Sequence, residues 1–252
     1  MLFRSPGFIT AFFLSCLVVF ILVLLVSWMR NRDLAAASFD GLSASYSNTG
    51  YMGIPLCALA LGQDGLAPAI ISTFIVFVMF ALATILIEIG ILSHKKSYEI
   101  FLSVIKSLCT NPLLVAPVIG LLWASSRYTL YDPIAQVIAF LAAASTPCAL
   151  VSIGLFLMQK SNAAPAQAWG ISLAKLILQP VIAWVIADPI LELPALWVNA
   201  IVILSALPTG TGPFMLAQYY KADGSVISRV VLITTVSSLL TLSLFLWWSN
   251  GV

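Results

Sequence analysis

Charge is what this sequence has least of. Only 8% of its 252 residues are charged, against 62% hydrophobic. A water-soluble chain of this length needs far more polar surface to cover itself, so that class is excluded. The net charge of +2 leaves no basic surface for nucleic acid. Histidine is nearly absent: His94 is the only one, and it sits in a charged loop. There is no His-Glu-x-x-His and no pair of acids inside an apolar stretch. An intramembrane enzyme needs a nucleophile with its base, or metal ligands, at depth. The chain is therefore read as a non-enzyme without a cofactor. The four cysteines (Cys16, Cys57, Cys109, Cys148) lie in or beside apolar stretches without metal spacing and are read as buried free thiols. Strict alternation of polar and apolar residues is also missing, which excludes a transmembrane β-barrel.

What is present is a series of apolar runs long enough to cross ~30 Å of hydrocarbon at ~1.5 Å per residue. The expected class is an all-α polytopic membrane protein embedded in a lipid bilayer. Eight spans are placed at 7–28, 41–61, 67–92, 111–124, 133–158, 168–187, 196–219 and 229–248. The fourth opens at Asn111-Pro112, and 93–110 is read as a short cytoplasmic loop. Loops on one side carry Arg30, Arg32, Lys95, Lys96, Lys106, Lys160, Lys221 and Arg229. The other side carries only Arg4 and Arg127, with Asp64, Asp132, Asp188 and Glu192. By the positive-inside rule the first side is cytoplasmic and both termini face outward. The expected location is the cell (inner) membrane. The first span is too long for a signal-peptide core, and its stronger charge follows it.

Two of these spans are broken in the same way. Leu42-Ser43-Ala44 and Asn48-Thr49-Gly50 match Leu204-Ser205-Ala206 and Gly210-Thr211-Gly212 at an offset of 162 residues. Asp64-Gly65 and Asp223-Gly224 follow them. Each break puts Gly and Pro inside an apolar run, from Asn48 to Pro55 and from Pro208 to Pro213. The broken spans are the second and the seventh, and an odd separation reverses their direction. This predicts an inverted-topology repeat, with residues 1–92 as the N-terminal part and 111–252 as the C-terminal part. Span one pairs with six, and three with eight; Gly7 and Gly170 open the first pair. Two interrupted spans at matching positions mark the binding site of a secondary transporter.

Unwound backbone in lipid leaves polar groups unpaired, so it survives only inside protein or beside a wet cavity. Pro55, Pro208 and Pro213 block the helix and remove donors. The half-helix after each break aims its positive end at the membrane centre, where an anion such as a carboxylate is favoured. Asn48, Thr49, Thr209 and Thr211 add neutral donors and acceptors, and Gly50, Gly210 and Gly212 allow close approach.

Residues Ser45-Tyr-Ser-Asn-Thr-Gly-Tyr-Met-Gly-Ile-Pro-Leu56 resemble the first broken helix of the auxin efflux carrier family. Pro147-Cys-Ala-Leu-Val-Ser-Ile-Gly-Leu155, Lys175-Leu-Ile-Leu-Gln-Pro180 and Ala206-Leu-Pro-Thr-Gly-Thr-Gly212 are similar to later parts of it. The family includes plant auxin carriers and bacterial carriers labelled malonate transporters. The resemblance implies a fold of the bile-acid-symporter and auxin-carrier kind: ten spans in two inverted halves with crossing broken helices. It also implies alternating access for small organic anions and a homodimer. The sequence then reads as eight spans of that ten-span fold, with the first two absent. A transport-inactive fragment or accessory membrane protein is the alternative function. The substrate and the coupling ion stay open.

Few polar residues lie within the spans. Lys175 enters about seven residues deep, or ~10 Å; it either faces an anion or a carboxylate, or snorkels back to the interface. Gln179 follows it at i+4 on the same face. Ser145-Thr146-Pro147 interrupts span five, as a kink or as cavity lining. Glu88 is expected to snorkel or to pair with Lys95 or Lys96. No carboxylate is placed at mid-depth. Trp247 and Trp248 suit an interfacial belt.

Overall fold

A computed structural model describes residues 5–93, 97–126, 128–157 and 165–250. Arg4, His94, Lys95, Lys96, Arg127 and Lys160 fall outside them, as do the side chains of Ser145, Thr146, Trp247 and Trp248. Among the described residues the regular structure is helical except for one isolated β-bridge.

Helix α1 (Ser5–Asn31) is apolar almost throughout. Asp33 ends the turn after it and caps α2 (Leu34–Ser45), its carboxylate accepting from the Ala36 N–H at 3.0 Å. α2 stops at Tyr46. A wide π turn over Thr49–Gly53 then leads into α3 (Ile54–Leu61), with Pro55 in its first turn. Proline is tolerated there because a first-turn N–H has no partner in the helix anyway. A short turn at Gly62–Gly65 connects to α4 (Leu66–Ile91).

The stretch 93–110, expected to be a loop, instead carries helix α5 (Ser97–Thr110). Glu99 and Lys106 interrupt its apolar run, so its hydropathy falls short of a span. Ser103 and Ser107, one turn apart, reach neighbouring helices. Ser103 donates to Glu88 at 3.2 Å, and Ser107 shares a hydrogen bond with Tyr220 at 2.9 Å. α5 meets α6 (Pro112–Ser125) at 57°. The bend lies at Asn111, whose side chain caps α6 through the Leu113 N–H while Pro112 starts the new direction. Residues 111–124 are thus the second arm of a bent pair rather than a free-standing span.

α7 (Asp132–Leu157) runs without a break through Pro147. The interruption expected at Ser145-Thr146-Pro147 is therefore a proline inside a continuous helix. α8 (Pro165–Leu173) passes through a π turn at Ala174–Leu178 into α9 (Gln179–Val185) and a further π turn at Ile186–Ile190. α10 (Ala195–Ala206) ends just before Pro208, α11 (Gly212–Tyr219) follows, and α12 (Ser225–Asn250) closes the described chain.

Among the described residues four helical stretches are long and apolar enough to cross a membrane: Pro6–Asn31, Thr49–Ile91, Ala166–Ile190 and Ser225–Leu246. The bent α5–α6 pair passes the same test jointly. α2 lies between α1 and α4, and α10 lies against α9. The core gathers where α1, α2, α4 and α10 meet, around Phe12, Leu42, Met79, Ile201 and Leu204. α6, by contrast, is apolar yet exposed along most of its length. A helix that is apolar all round without neighbours suits lipid.

Candidate functional site

The two breaks lie against each other. The Asn48 N–H donates to the Pro208 carbonyl at 3.0 Å, and the Gly210 N–H donates to the Tyr46 carbonyl at 3.0 Å. These two bonds make a minimal antiparallel bridge between Ser47 and Thr209. Each break leaves carbonyls and N–H groups without helical partners, which is costly inside a membrane. By meeting, each supplies part of what the other lacks.

Side chains satisfy more of these groups. Thr209 Oγ1 donates to the Ser43 carbonyl at 2.7 Å, and the Thr209 N–H donates to Thr234 Oγ1 at 3.1 Å. The Thr234 hydroxyl in turn donates to the Val230 carbonyl of its own helix. Lys175 and Gln179 approach from the α8–α9 side. Lys175 Nζ donates to the Ser205 carbonyl at 2.7 Å, in the last turn of α10. Gln179 Nε2 donates to the Ser45 carbonyl at 3.3 Å, at the end of α2, and to Cys16 Sγ at 3.4 Å. One i, i+4 pair thus caps the C-terminal ends of both half-helices, where carbonyls and the negative end of the dipole favour donors. Lys175 is fully buried, so it does not snorkel to the interface.

A cavity of about 480 Å³ opens on the opposite side of the crossing. Asn48, Thr49, Gly50, Gly210, Thr211 and Gly212 all line it, so residues from both breaks meet one space. Pro55, Pro208, Thr209, Lys175 and Gln179 do not line it: the prolines and Thr209 shape the breaks, and the other two hold them from behind. Ser145 and Thr146 lie on α7 with side chains outside the described residues. Ser47, Tyr51 and Thr73 also line it, and much of the remaining wall is apolar, with Phe74, Phe77, Phe80, Val118, Leu121 and Met215. No charged side chain lines the cavity among the described residues.

Two features escaped the sequence reading. Tyr46 forms part of the cavity wall, although the sequence marks it only as the residue before the first Gly/Pro string. Asp40 is a buried carboxylate that accepts from Ser27 Oγ at 2.5 Å and Gln167 Nε2 at 2.7 Å. It ties α2 to α1 and α8. The signal for it is an acid directly before the apolar run at Gly41-Leu42. Glu88 does not snorkel, and its expected partners, Lys95 and Lys96, lie outside the described residues. It is buried and held by hydroxyls, with Tyr220 donating at 2.8 Å and Ser103 at 3.2 Å.

Comparison with known proteins gives the family. The model of a family described as membrane transport protein matches residues 1–246. A Rhizobium meliloti protein named "Putative malonate transporter" is 30% identical over 229 residues, covering 90% of this chain and 72% of that protein. An uncharacterised transporter of Methanocaldococcus jannaschii is 28% identical over 243 residues, covering 93% of this chain and 76% of its own length. One from Methanothermobacter thermautotrophicus is 27% identical over 222 residues, with 86% and 70% covered. On a family match that takes in both breaks and nearly the whole chain, this protein belongs to the membrane transport protein family, the auxin efflux carriers that its Asn48-Thr49-Gly50 string resembles.

Proposed function

We propose that this protein is a secondary transporter that carries a small organic anion, a carboxylate, across the cell membrane by alternating access. The observation that carries the reading is the single cavity lined from both helix breaks. Backbone that leaves the helix inside a membrane is costly, and its concentration beside an open space argues for a ligand there. Asn48, Thr49, Gly50, Gly210, Thr211 and Gly212 meet the substrate. Pro55, Pro208 and Thr209 keep the breaks open, Lys175 and Gln179 anchor them, and Ser145 and Thr146 belong to the wall of the path. The chain spans the membrane eight times as an inverted repeat, residues 1–92 against 111–252, with both termini outside. It works as a homodimer and without a cofactor.

Malonate is the first substrate to test, from the name of the Rhizobium meliloti relative. The purified protein in liposomes is expected to take up labelled malonate or a related carboxylate, with saturation. Asn48→Ala is expected to lower that uptake at least tenfold, by about the loss of one polar contact to a charged group, without changing the melting temperature. Uptake at the wild-type rate in a folded Asn48→Ala protein would remove the crossing as the site.

A further inference from the structure

The polar end of the cavity holds one large side chain that the crossing itself does not need. Tyr46 contributes its backbone carbonyl to the bridge, but its ring does something separate: it reaches over to the second break. A Cβ at Gly212 would sit 2.6 Å from Tyr46 Cζ and 2.8 Å from its hydroxyl oxygen, and one at Gly210 would sit 3.0 Å from Cε1. A side chain at Gly212 would therefore displace the ring, and one at Gly210 would press on it. Phe80 meets the ring edge-on, with centroids 6.0 Å apart at 61°. The phenol oxygen is thereby fixed at the first residue of α11, the positive end of that half-helix.

That hydroxyl makes no hydrogen bond among the described residues, while Tyr46 lines the cavity. Tyr46 is half-buried, and a phenol at such a place ordinarily finds a partner. Three features coincide: a seated ring, a hydroxyl free among the described residues, and an uncharged cavity lined also by Ser47, Asn48, Thr49, Tyr51, Thr73 and Thr211. We propose that Tyr46 is a specificity-determining residue that donates its O–H to the anionic head of the substrate, and that Gly210 and Gly212 serve to seat its ring. The inference rests on the cavity being the substrate site. It adds a donor from before the first break that works over the start of the second, so the head is read by both breaks at once.

Tyr46→Phe tests it, because it keeps the ring and deletes only the donor. In proteoliposomes with labelled malonate, succinate and propionate as probes, the variant is expected to raise KM about tenfold or more. The maximal rate and melting temperature stay near wild type, a split that a merely packing role would not produce. Gly212→Ala gives a second, independent arm. It is expected to impair transport when Tyr46 is present and to add nothing in a Tyr46→Ala background, because the clash partner is then gone. An unchanged KM in Tyr46→Phe, with the wild type active, overturns the role of Tyr46 and leaves the site standing. No uptake of any probe by the wild type overturns the reading of the cavity, and the role of Tyr46 with it.

Discussion

The two breaks share a sequence pattern and differ in how they are held. The first, from Tyr46 to Gly53, turns outward through a π turn, and Tyr51 stands about half exposed at 51%. From behind, it is held by one long bond from Gln179 to the Ser45 carbonyl. The second, from Leu207 to Thr211, is buried over Leu207–Gly210 and braced on several sides. Thr209 uses both its N–H and its hydroxyl, and Lys175 supplies a short bond of 2.7 Å. Positions related by the 162-residue offset therefore do different work. Thr209 spans to Ser43, while its counterpart Ser47 has a buried hydroxyl with no partner among the described residues. The lesson is a division of labour: the second break is the anchor, and the first is the more open one.

Removing the anchor should cost most. Lys175→Met strips the donor from the Ser205 carbonyl in a buried place, and leaving such a group unpaired costs ~1–3 kcal/mol. Transport is expected to fall more than tenfold, and the melting temperature of the detergent-solubilised protein by about 5 °C. Gln179→Leu makes the parallel change at the first break. With its longer, uncharged bond it should lose clearly less on both measures. Equal losses would erase the distinction between the breaks.

Thr209→Val comes next. It keeps the side-chain shape and orphans the Ser43 carbonyl, for an expected loss of ~1–2 kcal/mol in thermal or denaturant unfolding. Ser47→Ala is the control at the matching position and should have the smallest effect. Its hydroxyl is buried and unpaired, so its removal should leave stability within ~0.5 kcal/mol of wild type or raise it slightly. A Ser47→Ala protein as damaged as Thr209→Val would mean that the first break carries a brace of its own.

Much of this was legible in the chain. Pro55 and Pro208 with their neighbouring glycines cannot continue a helix, so both breaks follow from local chemistry. The low charge dictates the membrane, and the repeated string points to one site made from two places. Helix α5 was not legible, because Glu99 and Lys106 lower its hydropathy while Ser103 and Ser107 find their partners on α4 and at Tyr220, just after α11. Asp40 was hidden for a similar reason: an acid at the edge of an apolar run looks solvated until Ser27 and Gln167 are brought to it.

Lys175 and Gln179 show where the boundary lies. Their i, i+4 spacing says that they share a face. Nothing in the spacing says that the face looks at the back of the crossing rather than into the cavity. That depends on how α9 lies against α10 and α1, a matter of packing between segments far apart in sequence. The sequence by itself determined that the helices break, and where, because proline and glycine act through their own backbone. Only the tertiary structure decided what satisfies the broken ends, because an unpaired carbonyl takes whichever donor the fold brings within reach: Gly210 for Tyr46, Thr209 for Ser43, Lys175 for Ser205.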